Sequence, residues 1–235
     1  MDQPCRGTGL VLTCEHGGNR IPPAYRELFE PHAALLASHR GWDPGALTLA
    51  RYLSVRLRAP LLYSDVSRLL VELNRSRHSS ALFSPPVRPL PDDRREEIID
   101  RYYLPFRKRV EEQVAGYIGT FGCAYHLSVH SFTPRLEGVT RNAEVGLLYD
   151  PGRRREKAWA ERIAKTLRAQ TAPLRVRMNY PYRGTADGHT TCLRKAFGVE
   201  EYAGIELEVN QACLLADEQT VHRVHRALAA ALGGA

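Results

Sequence analysis

Two histidines and a glutamate stand at or near the ends of short apolar runs in this 235-residue chain. His16 closes Gly9-Leu-Val-Leu-Thr-Cys-Glu-His, His130 closes Cys123-Ala-Tyr-His-Leu-Ser-Val-His, and Glu208 lies in Tyr202-Ala-Gly-Ile-Glu-Leu-Glu-Val-Asn. Runs of this kind read as β-strands. Folds of the α/β class place their chemistry just beyond the carboxyl ends of strands. Two imidazoles and a carboxylate at such positions are what a hydrolytic zinc site needs. Zinc that keeps one position open makes a nucleophile of water near neutral pH, and a nearby carboxylate then serves as general base.

Each residue also has a plainer role. A lone histidine beside glycines, as at His16-Gly-Gly, commonly satisfies a turn, and His130 admits the same reading. Asp43, in Gly41-Trp-Asp-Pro-Gly45, precedes a helix, where aspartate before proline is a good cap. Local sequence favours that cap over a role as third metal ligand or as partner of a histidine. Glu206 and Glu208 share strand parity and face one way. Two carboxylates on one face imply a polar cavity, a metal, or a solvated sheet edge. Arg68, Asn74 and Arg75 form a compact polar set around an apolar centre. Arginine forks grip carboxylates and polarise carbonyls, although surface arginines are common in a chain this basic. Ser128 and Ser131 near histidines raise a serine hydrolase, but no Gly-x-Ser-x-Gly elbow is present. Neither His-Glu-x-x-His nor a Walker-type phosphate loop occurs.

The elements that must position these groups alternate along the chain. Strands are predicted over 9–14, 61–63, 123–130, 145–149, 175–178 and 205–209, with Ser67–Arg75 as a further strand or extended segment. Helices are predicted from Pro22 to about Phe29, from Pro44 to Arg58, and over Asp92–Ile118 with a kink at Pro105. Others cover Arg154–Gln170, Thr190–Ala196 and Asp217–Leu232. A proline-rich loop over 76–91 and a second loop over 179–189 interrupt the alternation. Alternating strands and helices argue for a mostly parallel sheet covered on both faces.

Composition excludes several classes. With 43% apolar and 25% charged residues the chain is of ordinary globular make-up. No apolar run approaches the ~18 residues that span a bilayer, and Met1-Asp-Gln-Pro-Cys-Arg-Gly lacks a signal-peptide layout. A cytoplasmic protein without a membrane partner is expected. Five widely spaced cysteines form no Cys-x-x-Cys, so neither a disulfide framework nor a zinc finger is indicated. The formal charge of +7 is largely arginine. No basic stripe with interleaved aromatics accompanies it, so nucleic acid is not the expected partner.

Seven blocks in series resemble the N-formylglutamate amidohydrolase family: residues 14–18, 40–46, 67–75, 129–134, 141–149, 179–184 and 205–211. That family looks like a distant branch of the zinc carboxypeptidase and aspartoacylase group. The resemblance implies a single three-layer αβα domain over 1–235, with a mixed, mostly parallel sheet of about eight strands. It implies hydrolysis of an amide next to a carboxylate, with one zinc ion per chain, or another divalent ion, as cofactor. Carried over residue by residue, His16 and His130 match the histidine ligands and Glu208 the general base. Arg68 matches the carbonyl-polarising arginine, and Asn74 with Arg75 the pair that holds a substrate carboxylate. Arg141 and Arg183 are further substrate candidates. The carboxypeptidase group uses His-x-x-Glu, whereas Asn19 stands at that spacing here. The carboxylate ligand must then come from elsewhere, and Asp43 is the candidate. The aspartoacylase-type Asp-x-Asn-Arg appears as Glu72-Leu-Asn-Arg. The expected partner is a small acidic N-acyl amino acid, and the chain a monomer or homodimer. A catalytically inactive protein that binds a carboxylate ligand or peptide on the same fold is the alternative.

Overall fold

The computed structural model describes residues 9–233. Cys5 and the N-terminal stretch inspected for a leader lie outside them. In chain order the elements are β1 (Leu10–Cys14), α1 (Arg26–Phe29), α2 (Ala33–Ala37), α3 (Ala46–Leu57), β2 (Leu61–Tyr63), α4 (Asp92–Ile98), α5 (Leu104–Phe121), β3 (Ala124–Phe132), β4 (Arg135–Leu136), β5 (Val139–Thr140), β6 (Val145–Leu148), α6 (Arg154–Arg168), β7 (Val176–Met178), α7 (His189–Ala196), β8 (Tyr202–Asn210), α8 (Gln211–Leu214) and α9 (Glu218–Gly233).

Six strands form one sheet in the order β2-β1-β3-β8-β6-β7. Every pairing is parallel except β6 against β8. The mixed, mostly parallel sheet expected of the sequence is therefore present, with six strands rather than about eight. The other two strands, β4 and β5, stand apart as a hairpin. Its turn residues Glu137 and Gly138 have φ of 49° and 82°, the paired positive values that a two-residue hairpin of type I′ demands.

The three central strands alternate strictly. Leu12, Tyr125, Leu127, Val129, Ile205, Leu207 and Val209 face one side and pack with Leu49 and Leu53 of α3, Trp159 and Ile163 of α6, and Leu228 of α9. Burying each such side chain contributes roughly 1.5–3 kcal/mol. The opposite face is apolar near the strand starts, where Val11, Ala124 and Tyr202 meet Val110 and Val114 of α5, and again at Phe132, the last residue of β3. Between these on that face come Thr13, His126, Ser128, His130, Glu206 and Glu208, all buried. One face of the sheet thus supplies the core, and half of the other carries buried polar side chains.

Two expectations and one alternative reading need correction. Ser67–Arg75 is a chain of turns, closed by Leu70 N donating to Ser67 O at 3.0 Å and Arg75 N to Glu72 O at 3.3 Å. Its leucines and Val71 are buried in the apolar cluster beside α5, so the apolar run reports burial without strand pairing. The long helix predicted over Asp92–Ile118 is interrupted by a π-turn at Ile99–Tyr103. Pro105, which has no N–H to give, then sits at the start of α5, where none is needed. Glu206 and Glu208 are not on a sheet edge either, because β8 lies between β3 and β6.

Helix α7 is anchored by a buried ion pair. Arg194 Nε donates to Glu156 Oε1 at 2.9 Å, and Arg194 Nη1 and Nη2 donate to the carbonyls of Gly184 and Gly204 at 2.6 and 3.0 Å. Glu156 is fully buried and also accepts from the N–H groups of Asp150 and Gly204. Glu156→Ala leaves the guanidinium buried without its counter-charge, and a loss of about 3–5 kcal/mol in urea unfolding is expected. A loss below roughly 1 kcal/mol, the surface-pair range, would show that the pair does not anchor the helix.

Candidate metal centre

The site is assembled where β1, β3 and β8 end. Register places Thr13 beside Ser128, Ser128 beside Glu206, and His130 beside Glu208. Glu15 and His16 follow β1 directly. Asp43 comes from the turn before α3, its backbone N donating to His16 O at 2.9 Å. The residue flanking α3 is Gly45, and Asp43 makes no side-chain cap bond there. The helix-cap reading of Asp43 therefore fails. Its Oδ2 lies 2.9 Å from His130 Nδ1 and 3.3 Å from His16 Nδ1. Ligand atoms of the three residues all lie within 4.8 Å of one another, and all three side chains are buried.

Both histidines therefore turn Nδ1 to Asp43, and each Nε2 is held from behind. His16 Nε2 meets Glu72 Oε1. His130 Nε2 lies 2.8 Å from Ser128 Oγ and 3.5 Å from Glu15 Oε2. Imidazoles that ligate a metal through one nitrogen are commonly fixed by a partner on the other. Glu72 also takes Arg68 Nε at 2.7 Å, and Arg68 Nη1 donates to Asp43 Oδ1 at 3.2 Å. Arg68 thus clamps two carboxylates of the site.

Charges in this cluster compensate one another with one exception. Burial works against the Asp43 carboxylate, but His16, His130 and Arg68 outweigh it and hold the group well below the usual carboxylate range. Burial likewise disfavours charge on His130, and the bond it donates to the Asp43 carboxylate more than reverses this, pushing the imidazole up to about 10. A cation entering between His130 and Asp43 must therefore displace a proton, which couples metal uptake to pH. Glu15, fully buried, is held well below its ordinary value chiefly by its bond to His189, against the effect of burial. Glu208 is the exception. Burial pushes it up to about 7, only partly opposed by His130. Its Oε2 is buried without a hydrogen-bond partner among the described residues, and such an oxygen calls for one. A carboxylate near 7 suits a general base.

These groups open into a cleft of about 750 Å³. Arg40, Arg75, Arg141, Arg183 and Asp187 line it, together with Phe83 and Pro85 of the proline-rich loop. Asn74 is engaged: Nδ2 donates to Glu206 Oε2 at 3.3 Å and Oδ1 accepts from His189 N at 2.6 Å. Arg75 Nη1 donates to the carbonyls of Asn74 and Asp187 at 2.9 and 2.7 Å. Both shape the wall. Arg141 stacks over the rings of Phe132 and Tyr182. Arg183 is exposed on the rim, and among the described residues it has no ion pair. A second concavity, about 920 Å³ between α6 and α9, is lined by Arg162, Lys165, Arg223 and Arg226 with no carboxylate or imidazole. It holds no group able to ligate a metal or act as base.

Sequence reasoning singled out His16, His130, Glu208 and Asp43, which lie close together in the structure. It passed over Glu15 and His189, whose ring nitrogen Nδ1 meets Glu15 Oε1 at 3.1 Å. The available signal was parity: Glu15 lies two residues beyond Thr13, on the polar side of β1.

The Glu208 shift carries a sign that can be checked. A carboxyl whose folded value is raised favours its neutral form. It costs nothing below its ordinary 4.5 and lowers stability as pH climbs from there to about 7. In chelator, Glu208→Gln is expected to be more stable than the parent at pH 8, with the gap closing by pH 5. Urea unfolding at the two pH values reads this, and a gap independent of pH contradicts it.

A model of the N-formylglutamate amidohydrolase family matches residues 8–215. Among solved structures, gene product Atu2144 from Agrobacterium tumefaciens superposes with a TM-score of 0.78 at 28% identity, over 96% of this chain and 90% of that one. An N-formylglutamate amidohydrolase from Ralstonia eutropha JMP134 superposes with a TM-score of 0.71 at 17% identity, over 98% and 93%, which shows a shared fold. No curated protein sequence matches the chain. With the family match covering most of its length, the chain belongs to the N-formylglutamate amidohydrolase family.

Proposed function

We propose that the chain is a zinc-dependent amidohydrolase that removes the formyl or acyl group from an N-acylated acidic amino acid such as N-formyl-L-glutamate. The observation that carries this reading is the buried His16–Asp43–His130 group standing beside Glu208, whose Oε2 has no hydrogen-bond partner among the described residues. Two imidazole nitrogens and one carboxylate oxygen fit zinc with positions left open, although other divalent ions accept the same donors. When bound, the metal supplies Lewis-acid activation of water and of the scissile carbonyl.

The remaining work falls to the chain. Glu208 takes the proton from the attacking water and returns it to the leaving amine. Arg68 places positive charge where the carbonyl oxygen becomes anionic, with its orientation set by Asp43 and Glu72. Arg183 and Arg141 present guanidinium groups to a substrate carboxylate, while Asn74 and Arg75 hold the wall against which it rests. A catalytically silent carboxylate-binding protein is the second reading. It is favoured by the engagement of Arg68 with two carboxylates of the protein itself.

Formate release from N-formyl-L-glutamate, and amine release from other N-acyl acidic amino acids, separates the two. Turnover by the zinc-loaded protein is expected, reduced about 10²–10⁴-fold in Glu208→Gln with metal content retained. Arg68→Ala is expected to lose about 10²–10³ in rate. Saturable binding of these compounds without turnover would favour the silent reading instead.

A further inference from the structure

Beneath the two metal-facing imidazoles lies a chain of buried groups whose bond directions follow from counting protons. Glu15 Oε2 lies 2.7 Å from Ser128 Oγ, and Glu15 Oε1 lies 3.1 Å from His189 Nδ1. Ser128 Oγ also lies 2.8 Å from His130 Nε2. Glu15, Ser128 and His189 are all buried. A carboxylate only accepts, and a serine hydroxyl has one proton to give. Ser128 gives that proton to Glu15, so its oxygen is left as an acceptor towards His130. The proton of that bond must then come from His130 Nε2. Nδ1 faces Asp43 Oδ2, which also only accepts, so without a metal it carries a second proton, the one that an incoming cation displaces to reach the lone pair. His189 donates through Nδ1 to the other oxygen of Glu15 and holds the carboxylate in place.

We propose that Glu15 and Ser128 are positioning residues that fix His130 as its Nε2–H tautomer and so reserve Nδ1 for a metal ion. The proposal rests on the metal-site reading above. The opposite tautomer would present an N–H to the cation. The two histidines then follow one rule by different means: His16 Nε2 is held directly by a carboxylate, Glu72, and His130 Nε2 by a carboxylate acting through a hydroxyl. Glu15→Gln keeps the volume and breaks the rule. Its amide can donate to Ser128 and turn the hydroxyl towards His130, which drives the proton onto Nδ1.

Two measurements test this together. Long-range ¹H–¹⁵N spectra of the zinc-loaded protein read the tautomer of His130 without any substitution, and Nε2–H is expected. Competition with a chromophoric chelator reads the zinc dissociation constant. An increase of about 10–100-fold is expected in Ser128→Ala and in Glu15→Gln, with Ser128→Thr, which keeps the hydroxyl, near the parent. A His130 protonated on Nδ1, or unchanged affinity in both Ser128→Ala and Glu15→Gln, would overturn the proposal and leave the metal site standing. A parent protein that takes up no zinc would overturn the metal reading, and the proposal with it.

Discussion

A carboxylate oxygen between two imidazole nitrogens, Asp43 Oδ2 against His16 and His130, is the interaction on which the rest of this site depends. None of the three side chains sees appreciable solvent, and a buried charge is tolerable only when it is paired. The pairing spreads outward. Asp43 and Glu72 share Arg68, Glu72 takes the far side of His16, and Glu15 with Ser128 takes the far side of His130. Glu208 lies beside this closed set and is only partly compensated by it. That is why one carboxylate on the same face stays near neutrality while its neighbours are held ionised.

The fold meets this constraint with strands and with two pinned turns. Parallel β1, β3 and β8 deliver their ends to one edge, so alternate residues of each strand reach a common space. Asp43 and Arg68 come from turns far apart in sequence. They meet because Ser67 Oγ donates to Gly41 O at 2.8 Å and Arg68 N to the same oxygen at 3.3 Å. Gly41 itself packs so closely that an added Cβ would lie 2.2 Å from Leu36 O. At Gly146, opposite Glu208, an added Cβ would lie 1.7 Å from Tyr180 O. Bare backbone there lets the 179–189 loop pack over Glu208.

The strand-borne part of the site was legible because a strand's period of two is written in the sequence. Leu-Ser-Val-His at 127–130 and Ile-Glu-Leu-Glu at 205–208 each alternate, and the polar members fall together in space. The turn-borne part was not. Asp43 carries a strong local capping signal that tertiary contact with His16 overrides, and Glu72 sits in an apolar run whose burial by turns imitates a strand. Asn74 and Arg75 were legible as polar residues near the site but not as struts, because their partners Glu206, His189 and Asp187 are over a hundred residues away. No periodicity encodes such contacts.

In the proposed metal site it is Asp43, and not a residue spaced closely after His16, that stands with His16 and His130. Zinc per chain, measured by plasma mass spectrometry on untagged protein after zinc loading and dialysis, tests it most directly when the parent is compared with a folded Asp43→Ala variant. About one zinc is expected in the parent and next to none in the variant, in line with a metal held by three protein ligands. Equal zinc in both, or none in the parent, would contradict it.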